Sequence, residues 1–250
     1  YWLLSVSPQL WWLWAALFTI ALSVLLTNLA PLLIVPYLVT LNRDAMTEQV
    51  LGWVRELGFT SVKVMKRVRV ALISTGDEVI DPSQSPRPGQ VRDINSYTLG
   101  ALVEKSGGMA IRYGIFSDQF SALKDAAAKA LSECDALIIT AGSSASTRDM
   151  TADVIRALGE PGVLVHGINT RPGKPTILGV CNGKAVIGLP GNPVSALVNG
   201  YLFVVPVIEK LLGALPKPKA TVQAKLTVNL SSQAGREDWW PVRLLPSPKG

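Results

Sequence analysis

The sequence predicts an α/β fold: an open, mostly parallel sheet with helices on both faces. An N-terminal apolar segment of transmembrane character precedes it. Three observations carry the central part. Strand-like runs alternate with helix-spaced segments from Arg43 onward. Several of these runs are continuously apolar, as strands covered on both faces are. Polar motifs with glycines follow the runs, at the strand ends where such sheets bind ligands.

Taken in order, Tyr1 to Asn42 has no charged residue and holds four of the seven tryptophans, Trp2, Trp11, Trp12 and Trp14. Leu10 to Leu29 (residues 10–29) supplies about the 20 mostly apolar residues that a membrane-crossing helix needs, and Pro31 and Pro36 would break or kink the chain beyond it. With no basic residue ahead of a long apolar run, the stretch does not read as a signal peptide. Three readings stay open: a transmembrane anchor, a foreign or out-of-frame piece joined to a soluble protein, and a buried core hairpin. Tyr1 in place of Met leads to the expectation that residues upstream are absent.

Met46 to Leu57 places Val50, Val54 and Leu57 on one helical face and ends at Gly58. Val68 to Ile73 reads as the first buried strand. Asn95 to Val103 is a helix, Met109 to Phe116 a strand, and Phe120, Leu123, Ala127, Ala130 and Leu131 keep helical spacing. Ala136 to Thr140 is again continuously apolar, Asp149 to Leu158 helical and Gly162 to Ile168 strand-like. Thr176 to Val180 and Lys184 to Gly188 are short strands, and Ala196 to Leu212 is helical. The expected organisation is an apolar segment over 1–42, a helix and linker over 43–66, a ligand-binding α/β domain over 67–215 and a separate C-terminal segment over 216–250.

Composition removes several function classes. The net charge is +6, but no run of five bases occurs and no aromatics interleave with them, so small anions suit the balance better than nucleic acid. Cys134 and Cys181 are the only cysteines and His166 the only histidine, which argues against a disulfide framework, a zinc site or a Ser-His-Asp triad. Both cysteines lie in apolar surroundings and read as core. His166, in an apolar strand, reads as a partly buried, satisfied imidazole.

The loops after the strands are expected to converge on one rim. In Ser74-Thr75-Gly76-Asp77-Glu78, Asp77 and Glu78 are either a carboxylate pair able to hold Mg²⁺ or a solvated turn. Gly142, Ser143 and Ser144, with Ser146 and Thr147, offer N–H groups and hydroxyls to a phosphate, or form only a flexible loop. Arg171-Pro172-Gly173-Lys174-Pro175 would hold two cations rigidly toward an oxyanion, or is a surface turn. In Gly188-Leu189-Pro190-Gly191-Asn192-Pro193-Val194-Ser195, Pro190-Gly191 turns the chain, Asn192 is a favoured N-cap and Pro193 suits the first helical position. The positive end of that helix would face the rim and favour an anion.

"ALISTGDEV", "GQVRDINSY", "PGKPTILG" and "GLPGNPVSALV", in this order and at these separations, resemble the molybdopterin molybdenumtransferase family (MoeA and the E domain of gephyrin) from about Arg43 to Arg243. Molybdopterin adenylyltransferases share the implied fold, but the "PGNPVS" corner and the segment Thr221 to Leu245 favour the former. The resemblance implies insertion of molybdate into adenylylated molybdopterin, with Mg²⁺ and release of AMP. It implies catalytic roles for Asp77, Glu78, Asp93 and Asp149, with Asp77, Glu78 and Asp93 around the metal. It also implies substrate contacts from Thr75, Gly76, Gly142, Ser143, Ser144, Arg171, Lys174, Pro190, Gly191, Asn192 and Pro193. A homodimer, cytoplasmic work and an adenylyltransferase partner are implied as well, with membrane association if residues 10–29 span a bilayer.

The loop "TAGSSASTRD" departs from the family's usual one, with Ser143 and Thr147 where glycines are expected and Arg148 where an acidic residue is common. The resemblance implies a large N-terminal region, here replaced with 43–66 as its remnant, and a small C-terminal β domain, of which 216–250 would be only the start. The chain is therefore expected to be a fragment or the product of a disrupted gene. An enzyme and a non-catalytic, membrane-anchored binding or scaffold module are the two function classes implied.

Overall fold

The computed structural model describes residues 65–246 apart from 142–144 and 215–220, with the backbone alone at 145–148, and before them Gly52, Arg55, Glu56, Gly58 and Ser61. The chain divides into two compact units, Tyr1–Lys66 and Arg67–Gly250. In the first, Gly52, Arg55 and Glu56 are helical and Gly58 closes a turn onto the Arg55 carbonyl, within the helix expected over Met46 to Leu57. The apolar stretch 1–42 lies outside the described residues.

The second unit runs β1 (Arg69–Thr75), β2 (Val79–Ile80), β3 (Val91–Arg92), α1 (Asn95–Lys105), β4 (Met109–Phe116), α2 (Phe120–Glu133), β5 (Ala136–Ala141), α3 (Ala145–Ala157), β6 (Pro161–His166), β7 (Thr170–Arg171), β8 (Ile177–Cys181), β9 (Lys184–Pro190), α4 (Pro193–Asn199), a π-helical turn (Gly200–Val204), α5 (Val205–Leu211) and β10 (Glu237–Asp238). The main sheet has six strands in the order β4-β1-β5-β9-β8-β6. The first four are parallel, and β8 and β6 are antiparallel additions.

Period-two alternation along buried strands divides the core between the two faces. Val70 and Leu72 of β1, with Ala136 and Ile138 of β5, meet Leu99 and Val103 of α1 and Ala196, Val204 and Ile208 of the last helix. Ala71, Ile73, Leu137 and Ile139 meet Leu123, Ala127 and Ala130 of α2 and Ala152 and Ile155 of α3. Each face therefore carries helices, which is why these strands read as unbroken apolar runs. The β8–β9 hairpin turns at Asn182-Gly183, both at positive φ (51° and 79°), the combination a two-residue turn matched to strand twist requires. The antiparallel end of the sheet follows from that Asn-Gly.

Strand order positions the site. From β1 the chain crosses by α1 to β4 on one side, then returns by α2 to β5 on the other side of β1. The direction of strand addition reverses between β1 and β5, and the crevice left at their carboxyl ends is the natural ligand position.

Two expectations change. His166 sits exposed on the edge strand β6, because among the described residues that strand has no neighbour beyond it. Of the β domain expected over 216–250, the described residues 221–246 carry one strand, β10, paired with β7. Cys134 and Cys181 are buried, at 1% and 0% exposure. Pro193–Leu211, continuous through its π-helical turn, is long and apolar enough to cross a membrane, yet it packs on the sheet through Ala196, Val204 and Ile208.

Candidate functional site

A cleft of about 300 Å³ opens at the predicted crevice. Ser74 and Thr75 from the end of β1 and Thr140 and Ala141 from the end of β5 form its floor, and Gly191, Asn192 and Pro193 form one wall. Glu78, Arg92, Asp93 and Asn95 come from the β2–β3 excursion and the start of α1. The strand tips are polar because the ladder ends there and a hydroxyl can face the opening while the preceding residues stay in the core.

The floor is a connected hydrogen-bond network. Thr140 Oγ1 lies 3.3 Å from Ser74 Oγ and donates to it, and Ser74 Oγ donates to Asp93 Oδ2 at 2.8 Å. The other oxygen of Asp93 accepts the Ser96 N–H at 3.1 Å, so this carboxylate also caps the first turn of α1. Asp93 is 6% exposed, and its two hydrogen-bond donors hold it at the base of the cleft. Asn95 donates to the Gly191 carbonyl at 2.8 Å, tying α1 to the opposite wall. On that wall Asn192 is the N-cap of α4, its Oδ1 accepting the Ser195 N–H at 3.1 Å, with Pro193 in the first turn. The positive end of the Pro193–Leu211 helix thus borders the opening.

Of the residues singled out from sequence, Thr75, Glu78, Asp93, Gly191, Asn192 and Pro193 line the cleft together. Gly76 and Pro190 adjoin it, Pro190 as the buried last residue of β9. Asp77 does not line it: the side chain is exposed and accepts the Asp118 N–H at 3.1 Å. Asp149 is exposed on α3, away from the lining. Gly142, Ser143 and Ser144 lie outside the described residues.

Arg171 and Lys174 are exposed and outside the lining, which corrects the expected convergence of all four loops. The reason is topological. Arg171 ends β7, which among the described strands pairs with β10 and not with the parallel sheet, and Lys174 lies in the loop that follows it. Arg171 stands over the Trp240 ring, 5.4 Å from its centroid. Asn199 Nδ2 donates to the Pro172 carbonyl at 3.1 Å and the Ser195 carbonyl at 2.8 Å, fastening this loop to α4.

The three-carboxylate magnesium site also fails to assemble. Among the described residues no group of three or more His, Cys, Asp or Glu side chains is placed to hold a metal. Asp77 is turned to the Asp118 N–H and lies outside the lining, while Asp93 accepts from Ser74 and Ser96, so Glu78 and Asp93 are the two carboxylates that the described lining holds. The residues present do not fit a preformed Mg²⁺ site.

Ser74, Arg92, Asn95 and Thr140 line the cleft without having been singled out. Ser74 and Thr140 were signalled by hydroxyl residues ending apolar runs, and Arg92 and Asn95 by flanking Asp93 in "VRDIN".

Residues 71–210, more than half of the chain, match the family described as "Probable molybdopterin binding domain". A molybdopterin molybdenumtransferase of Nostoc is 37% identical over 183 residues, covering 71% of this chain and 42% of the relative. Molybdopterin molybdenumtransferase 2 of Mycobacterium tuberculosis is 33% identical over 206 residues, covering 79% and 50%. A crystal structure of a MoeA molybdopterin biosynthesis protein from Pyrococcus horikoshii superposes with a TM-score of 0.61 at 41% identity, over 68% of this chain and 41% of that one. The chain spans half or less of the length of these relatives. The matched span contains the β1–β5 crevice, the Asp93 network and the Asn192 corner, and the chain belongs to the MoeA family, with its molybdopterin-binding domain at residues 71–210.

Proposed function

We propose that this chain takes part in molybdenum cofactor biosynthesis, binding adenylylated molybdopterin in the cleft and supporting insertion of molybdate with release of AMP. The observation that carries the reading is the joining of the Asp93–Ser74–Thr140 network and the Asn192-capped helix start in one crevice of a MoeA-family domain. The helix end attracts the anionic part of the ligand. Asp93 and the hydroxyls accept and donate hydrogen bonds at fixed positions, so the protein acts by placing charged groups rather than by a nucleophile of its own. Under the same proposal the chain works in the cytoplasm, its substrates are small anions, a molybdopterin adenylyltransferase supplies the nucleotide-bearing pterin, and the family's homodimer is the working form.

A second reading, a binding module without turnover, is favoured by the absence of a gathered carboxylate set among the described residues. One assay separates the two: the whole chain is given adenylylated molybdopterin and molybdate, and AMP is followed by chromatography beside an Asp93→Asn variant. Molybdate-dependent release that falls in the variant supports the transferase. Ligand bound but no AMP released supports the module, and failure to bind overturns both.

A further inference from the structure

We propose that Arg92 is the phosphate-binding cation of the cleft, a specificity residue for phosphate-bearing ligands. The proposal rests on the reading of the cleft as a nucleotide-pterin site and names the group that would recognise the charged part of that ligand.

The charge inventory points to this residue. Among the described residues the lining contains two carboxylates, Glu78 and Asp93, and one base, Arg92. The bases expected from sequence, Arg171 and Lys174, lie outside it, and Arg171 is stacked on Trp240. A phosphate in this cleft would therefore face two carboxylates with one guanidinium to offset them.

Backbone and side chain both aim that guanidinium. β3 pairs in parallel with β2, with Arg92 opposite Ile80, and the Val91 and Asp93 N–H groups donate to the Glu78 and Ile80 carbonyls at 2.8 and 2.9 Å. Arg92 is thus held directly before the buried Asp93. Its Nε donates to the Gln84 carbonyl at 3.0 Å, and the Gln84 N–H is itself bonded to the Asp81 carbonyl at 3.0 Å. The Nε contact holds the side chain at the edge of the cleft that it lines, and among the described residues no carboxylate forms an ion pair with Arg92. An unpaired guanidinium held in place suits a phosphate: its fork donates two parallel hydrogen bonds, and less side-chain entropy remains to be lost on binding.

The test uses AMP and adenosine as probes in calorimetry on the whole chain, with wild type, Arg92→Gln and Arg92→Lys, and thermal unfolding to confirm folding. AMP affinity is expected to fall on the order of 10- to 100-fold in Arg92→Gln, with adenosine affinity unchanged and Arg92→Lys in between. Equal AMP affinity in wild type and Arg92→Gln overturns the assignment while the reading of the cleft stands. An equal loss of AMP and adenosine makes Arg92 a brace for its loop and also overturns it. A wild type that binds neither probe overturns this assignment together with the cleft reading beneath it.

Discussion

Replacing Asp93 tests whether the floor of the cleft is held as the hydrogen bonds indicate. In Asp93→Ala, the Ser96 N–H loses its cap, which costs about 1 kcal/mol. Ser74 loses a charged acceptor at 2.8 Å, a bond of about 1.5–3 kcal/mol, but part is recovered because its hydroxyl can turn to Thr140 Oγ1 at 3.3 Å. The expected loss is about 2–3 kcal/mol. Asp93→Asn is isosteric, keeps an oxygen for Ser96 and can donate to Ser74 while Ser74 donates to Thr140, so its expected loss is about 1 kcal/mol. Urea unfolding followed by circular dichroism reads both, and at about 2–4 °C per kcal/mol for a chain of this size Asp93→Ala should melt roughly 4–12 °C lower. Equal stabilities for the two variants, within about 0.5 kcal/mol, would refute the network, because Asp93→Asn keeps the acceptor for Ser96 and a bond to Ser74 that Asp93→Ala lacks.

Two further outcomes test other parts of the fold. Gly173 has φ +105° and a Cβ there would fall on the Asn199 carboxamide, so Gly173→Ala should cost about 2–4 kcal/mol in urea unfolding, from backbone strain and the displaced Asn199 bonds; under about 1 kcal/mol would mean that the loop is not fastened to α4. Tyr113 holds its proton above the ordinary tyrosine range, first through lost hydration and then through the bond its hydroxyl donates to Glu133 at 2.5 Å. Its folded pKa is raised, so its stabilising effect is complete below about pH 10, the unfolded value, and is lost as pH rises toward the folded one. Tyr113→Phe should flatten the decline of Tm above about pH 10, and a variant curve parallel to wild type would count against it.

Much of the sheet was legible locally. Val68 to Ile73 and Ala136 to Thr140 read as buried strands because both faces are covered, and the structure extends them only to Thr75 and Ala141. The helix read over Asn95 to Val103 runs to Lys105, the helical spacing from Phe120 to Leu131 belongs to a helix that ends at Glu133, and Asn192-Pro193 announced a helix start that cap geometry then shows. The two-residue ladders β2–β3 and β7–β10 were not legible, since two residues carry no periodicity and their pairing is set by distant partners.

The site divides along the same line. Residue type and position in a motif, which the chain carries locally, placed Thr75 and Glu78 at a strand tip and Asn192 at a helix start, while Asp93 was marked by the resemblance of "VRDIN" to the family. Tertiary structure alone decided which of these face one another: the reversal of strand order between β1 and β5 opens the crevice, the pairing of β7 with β10 draws Arg171 away from it, and the β2–β3 ladder brings Arg92 to it. The physical reason is range. Capping and apolar periodicity act over three or four residues, whereas a cleft is made by side chains from elements as far apart in sequence as Ser74 and Asn192, and their approach depends on how the strands are ordered.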